Sequence, residues 1–137
     1  MLRRSFVTAA AAIALLAACG GDSSTAPDAN IAGSYTLETV NGNGLPWRFF
    51  VLDDDWIEVA TGTGSINADG TYSLRLDYRF REAGEESTFN ESSVGTYTRN
   101  GNAIEFTDAD GSRLRGSISG RRITVTSPGV VLVFERD

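Results

Sequence analysis

The sequence predicts an all-β domain, an antiparallel meander of about 8–9 strands that closes into an up-and-down β-barrel. Three observations predict it. Turn dipeptides recur along the chain: Asn41-Gly42, Asn43-Gly44, Asp69-Gly70, Ala83-Gly84, Asn100-Gly101, Asp110-Gly111, Ser119-Gly120 and Pro128-Gly129. Asn-Gly and Asp-Gly suit tight hairpins because both positions take positive φ at little cost. Between these turns lie short runs of period-two alternation, and no stretch after residue 30 carries a convincing helical period.

Taken in order, Ile31 to Val40 sets Ile31, Gly33, Tyr35 and Leu37 on one face. Trp47 to Leu52 is apolar on both faces. Trp56 to Asn67 begins with Ile57 and Val59 in phase, passes Gly62 and Gly64, and resumes with Ile66 in the opposite phase. Glycine in a strand together with a phase slip predicts a bulge or bend. Thr71 to Arg81 is the clearest run, with Tyr72, Leu74, Leu76, Tyr78 and Phe80 facing the core and Arg75, Asp77, Arg79 and Arg81 facing water. Thr88 to Arg99 is polar, with Phe89 and Tyr97 in one phase. Shorter runs follow around Ile104 and Phe106, around Leu114 to Ile118, and around Ile123 and Val125, and the chain closes with Val130, Leu132 and Phe134. A long meander leaves two exposed edges, which invite aggregation, and closure removes them by pairing the first and last runs. A β-sandwich is the alternative arrangement of the same strands.

A short element recurs as Gly33-Ser34-Tyr35-Thr36, Gly70-Thr71-Tyr72-Ser73 and Gly95-Thr96-Tyr97-Thr98. Its unequal spacing excludes a solenoid repeat. The first copy, with Val40-Asn41-Gly42 and Leu45-Pro46, is similar to the opening of small bacterial lipocalin-like lipoproteins. Gly95-Thr96-Tyr97-Thr98, Asn102 to Phe106, Asp110-Gly111 and Gly116-Ser117-Ile118 continue the resemblance. It departs from lipocalins proper at Tyr35, where those have tryptophan, and in lacking their helix. The resemblance implies a barrel and an apolar ligand inside it.

The N-terminus has the form of a signal peptide: Arg3 and Arg4, an apolar run from Phe6 to Leu16, then small residues. From Phe6 to Ala18 the run is 13 residues, short of the roughly 20 that a transmembrane helix needs. Leu16-Ala17-Ala18-Cys19 looks like the lipobox of bacterial lipoproteins, and Arg3-Arg4-Ser5-Phe6-Val7 resembles a twin-arginine export signal. The lipobox resemblance implies cleavage before Cys19, a diacylglycerol on its thiol and acylation of the new amino group. The expected organisation is a signal-peptide helix at 1–18, a lipid-anchored linker at 19–30 and a barrel domain at 31–137. Gly20, in place of Asp, resembles outer-membrane sorting in a Gram-negative envelope. The expected partners are the membrane, through that lipid, and the small apolar ligand, with the chain monomeric.

Composition removes most chemistry. The chain has no histidine and one cysteine among 137 residues, and all 12 of its cations are arginine. Ser-His and Cys-His pairs, His-ligated zinc and Schiff-base lysine are excluded. Ten arginines against 18 acids remain from Cys19 onward, a net charge of −8, because Arg3 and Arg4 precede it. Such a surface disfavours nucleic acid. Asp53-Asp54-Asp55 and Asp108-Ala109-Asp110-Gly111 lack the ligand spacing of a calcium loop and read as turns. No cofactor, no metal and no enzymatic activity are expected.

The candidate ligand contacts are Trp47, Phe49 and Trp56 at the barrel mouth, Tyr72 on the inward face of its run, and Glu91. An aromatic-rich segment suits an apolar ligand. Glu91 and Ser93 share a phase with Phe89 and Tyr97, so an unbroken register points them inward, where a carboxylate needs a partner. The alternative function is an envelope protein-interaction or structural module acting through its surface loops.

Overall fold

The computed structural model describes residues 30–137. The expected signal peptide, most of the expected linker and Cys19 lie outside the described residues.

Ten strands form one antiparallel sheet: β1 (Gly33–Val40), β2 (Asn43–Gly44), β3 (Trp47–Leu52), β4 (Asp55–Ile66), β5 (Thr71–Glu82), β6 (Glu85–Asn100), β7 (Ala103–Asp108), β8 (Arg113–Ser119), β9 (Arg122–Ser127) and β10 (Val130–Arg136). Each strand from β4 to β10 pairs with the next. β1 closes the ring by pairing with β10 on one side and β4 on the other. Eight strands therefore make a closed barrel, with β2 and β3 outside the ring. The first and last runs do pair, with Tyr35 opposite Arg136 and Leu37 opposite Phe134. Nine of the ten strands are those read from alternation, and the two-residue β2 is new.

The turns explain the register. Asn41 (φ 51°) and Gly42 (φ 79°) both lie in the left-handed region that a tight hairpin requires. The acidic clusters sit in turns as well: Asp53 follows β3 at φ 54°, and the Gly111 N–H donates to the Asp108 carbonyl at 2.9 Å. The phase slip in β4 is a register shift between Val59 and Thr61 against β5. It lets Ile57 and Val59, then Gly62, Gly64 and Ile66, all face the side shared by Tyr72, Leu74, Leu76, Tyr78 and Phe80.

Of these, Val59, Ile66 and Tyr72, with Leu74, Leu76 and Tyr78 packed against them, meet Tyr35, Leu37, Ile104, Phe106, Ile118, Ile123, Val125 and Phe134 in a single core. All three repeated elements turn their tyrosine inward and satisfy its hydroxyl. Tyr35 donates to the Ile31 carbonyl at 2.6 Å and Tyr97 to the Asn67 carbonyl at 2.8 Å, while the Tyr72 hydroxyl pairs with Ser93 Oγ at 3.2 Å.

Three strands of the ring, β4, β5 and β6, outrun it and are joined by β3. β4 pairs with β1 only over Thr63–Ile66, and its start, Asp55–Val59, pairs with β3 instead. β7 pairs with β6 only from Gly95 onward. Among the described residues, Glu85–Ser93 of β6 has no partner but β5. The result is a four-stranded extension, β3-β4-β5-β6, continuous with the barrel wall and open at both edges. It accounts for a departure from expectation. Leu74, Leu76 and Phe80 are half-buried rather than buried, because β5 leaves the closed wall as it passes through them. Arg81 is half-buried rather than exposed, since it lies opposite Trp56.

Candidate functional site: the aromatic face of the extension

The barrel interior is filled. Its apolar cavity is about 40 Å³, lined by Tyr35, Ile66, Tyr72, Phe106, Leu114 and Phe134 among others. Small-molecule sites run to roughly 300–1,000 Å³. Tyr72, expected to touch a ligand, packs edge-on to Phe106 with centroids 4.9 Å apart. The side chains that would have lined a pocket occupy it.

The exposed apolar surface lies on the extension. On the face continuous with the barrel interior, Trp47 stands 5.6 Å from Phe49, and Phe49 meets Tyr78 edge-on at 6.3 Å. Tyr78 stacks on Phe89 at 4.6 Å and 4°, and Phe89 lies 5.8 Å from Phe80. A register shift between Arg48 and Phe50 places Phe50 opposite Ile57, on this same face. Phe49, Phe50 and Phe89 are 46%, 45% and 41% exposed. One row of rings thus crosses the sheet from the β3 edge to the β6 edge, with water on its far side. Offset and edge-on ring pairs of this kind hold their geometry at low entropic cost.

Glu91 joins this face as its phase predicts, because the β5–β6 register runs unbroken from Thr71–Thr96 to Glu82–Glu85. It is exposed, and Glu91 Oε2 accepts a hydrogen bond from the Tyr78 hydroxyl at 3.2 Å. Burial, with the Glu91 charge beside it, pushes the Tyr78 hydroxyl up to about 12. Trp56, expected with Trp47 at the mouth, faces the other way. It is buried on the outer face of the extension, with the Arg48 guanidinium 4.1 Å from its ring centroid. Beside it Glu58, only 4% exposed, is held by Arg48 at 3.3 Å and Arg79 at 2.5 Å. A carboxylate so enclosed needs both cations. Around Glu58 the outer face is closed by its own pairs, with Val51 exposed opposite Trp56, and the row of rings lies on the inner face.

Phe50, Tyr78, Phe80 and Phe89 were not among the site residues expected from sequence, which assigned Tyr78 and Phe80 to the core. The signal was present in Ala83-Gly84: a two-residue turn there pairs Glu82 with Glu85 and hence Tyr78 with Phe89. Among the described residues, no group of three or more His, Cys, Asp or Glu side chains could hold a metal ion.

The fold and this face define a class: a closed eight-stranded up-and-down barrel with a packed interior and a sheet extension bearing an exposed aromatic row. No protein-family model matches the chain, and no curated protein matches it. Among solved structures it is similar to the Cpx pathway activator NlpE from Escherichia coli, at 26% identity and a TM-score of 0.37. That match covers 60% of this chain and 40% of the other, so the chain spans two fifths of that protein's length.

Proposed function

We propose that this is a non-catalytic binding protein of the bacterial envelope, held to a membrane by lipid on Cys19, that recognises a protein partner through the aromatic face of its extension. The observation that carries the reading is the row Trp47–Phe49–Tyr78–Phe89, preassembled and exposed beside a barrel whose interior is full. Aromatic rings on a rigid sheet are the residues that anchor protein interfaces. Contiguous exposed apolar surface marks such interfaces in soluble domains. The lipocalin-like resemblance thus supports the barrel, while a cavity of about 40 Å³ moves recognition from inside it to beside it.

Photo-reactive residues placed at Phe49 and at Phe89 in the producing cell test the reading. Both should capture the same protein, while the same probe at Arg115 on the opposite wall should not. Fatty acids and phospholipids should leave the thermal transition unmoved. Equal capture from all three positions, or a saturable lipid-induced shift, would return the function to the barrel.

A further inference from the structure

We infer that the open edge of β6 receives an extended cationic segment of the partner, which joins the extension as a fifth strand. The inference rests on the reading that the extension is the recognition surface, and it adds the partner's conformation and charge.

Two backbone hydrogen bonds fix which groups face the open edge. The Ala109 N–H donates to the Val94 carbonyl at 3.0 Å, on the β7 side of β6. The Tyr97 N–H donates to the Gly70 carbonyl at 2.9 Å, on the β5 side. Backbone groups alternate sides along a strand in an antiparallel ladder. Ser92, Asn90, Thr88 and Glu86 therefore aim both N–H and C=O where Val94 aims its own. β7 has by then turned away, and among the described residues no strand takes its place. Four consecutive outward-pointing residues offer a ready template for strand addition.

The side chains flanking this edge choose the occupant. Glu85 and Glu91 bracket Ser87 and Phe89 on the aromatic face, and Glu86 lies on the outer face. All three are exposed. Where β6 parts from β7 a cleft of about 360 Å³ opens, lined by Leu74, Leu76, Glu91, Ser92, Ser93 and Asp108. Two carboxylates and two leucines suit a long cationic side chain, with the charge at the rim and the stem on apolar surface. A second copy of this chain, itself at net charge −6, would bring acid to acid. The matching segment alternates, with cations six residues apart and small apolar residues between them on the same face.

The test uses the full chain and the peptide Ser-Arg-Thr-Val-Thr-Val-Thr-Arg-Ser, with a twin carrying Glu for Arg. The arginine peptide should bind saturably, slow amide exchange at Glu86, Thr88, Asn90 and Ser92, and leave β3 amides unchanged. The twin should not bind. Thr88→Pro removes one edge donor while sparing the β5 ladder, and should weaken binding about tenfold or more. The pair Glu85→Gln and Glu91→Gln should weaken it about three- to tenfold with the thermal transition unchanged, as expected for two cross-strand charge pairs. Failure of the arginine peptide to bind overturns the proposal. So does equal binding of the twin, protection at β3 instead, or β6 protection that rises with protein concentration alone. If the probes at Phe49 and Phe89 still capture a partner when the peptide fails, the strand-addition proposal falls and the aromatic-face reading stands.

Discussion

Gly95 sits where the barrel wall and the extension part, and its replacement by alanine should be among the most damaging single-methyl changes in the chain. It lies opposite Tyr72 on one side and Asp108 on the other, the last residue of β6 that β7 covers. A Cβ there would stand 2.0 Å from the Thr107 carbonyl oxygen, and ordinary contact begins near 3.4 Å, so β7 must retreat by about 1.4 Å. The obstacle is backbone, which cannot swing aside. Overpacking costs about 1–3 kcal/mol, and losing one or two ladder hydrogen bonds adds about 1 kcal/mol each. A loss of about 3 kcal/mol is expected. With a urea slope of about 1.5 kcal/mol per molar, typical of this size, the midpoint falls by about 2 M. Gly64→Ala is the control, since its Cβ would meet nothing closer than 3.7 Å. Relief of glycine's backbone entropy should leave that variant within about 1 kcal/mol of the parent, on the stable side. Equal midpoints for the two variants would refute the close approach of β6 and β7 at the corner.

The remaining predictions concern titration and anchoring. Phenolate absorbs at 295 nm and the neutral phenol does not, so absorbance there between pH 9 and 12 reports the four tyrosines of this chain. Tyr78, pushed up to about 12, should ionise last in the folded protein. Because its folded value lies above the unfolded value of 10.0, its contribution to stability is whole below pH 10 and is lost as pH rises toward 12. Tyr35 and Tyr72, also raised by burial, act in the same direction. A tyrosine titration complete by pH 10.5 with the fold intact would contradict the stacked, half-buried Tyr78. For the anchor, Cys19→Ser should abolish incorporation of a labelled fatty acid in the producing cell. Label retained on that variant would sink the lipid attachment.

The barrel was legible because its information is local. Turn dipeptides and period-two alternation located nine strands, and the phase slip after Val59 located the bulge. The extension was not legible, because it depends on where strands stop pairing. Glu85 to Ser93 is polar apart from Phe89, as a solvated wall strand can be, and nothing in those nine residues says that β7 ends before reaching them. The two tryptophans show the same limit. Trp47 opens an apolar run and Trp56 an alternating one, yet the two face opposite sides of one sheet, and the Arg48 that covers Trp56 belongs to the neighbouring strand. The repeated Gly-x-Tyr element was legible as a pattern but not as a cause. Gly70 stands at φ 90° before a strand, whereas Gly95 is required by a neighbour's carbonyl.

Ring closure through β1 also sets an order of events in time. β1 finds β4 about 30 residues away, with Gly33 opposite Ile66, but finds β10 about 100 residues away, with Tyr35 opposite Arg136. Closing the longer loop costs about 1 kcal/mol more chain entropy, and barrels with such distant pairings fold in milliseconds to seconds. A chain growing from its N-terminus completes this seam last. Until β10 arrives, the flanks of β1 and β9 that it will cover stand open in addition to the edges of β2, β3 and β6 that the finished protein keeps. Its exposure to mispairing is therefore greatest while the seven-residue β10 is being made, and the β3 and β6 edges, which outlast this interval, both border the aromatic row.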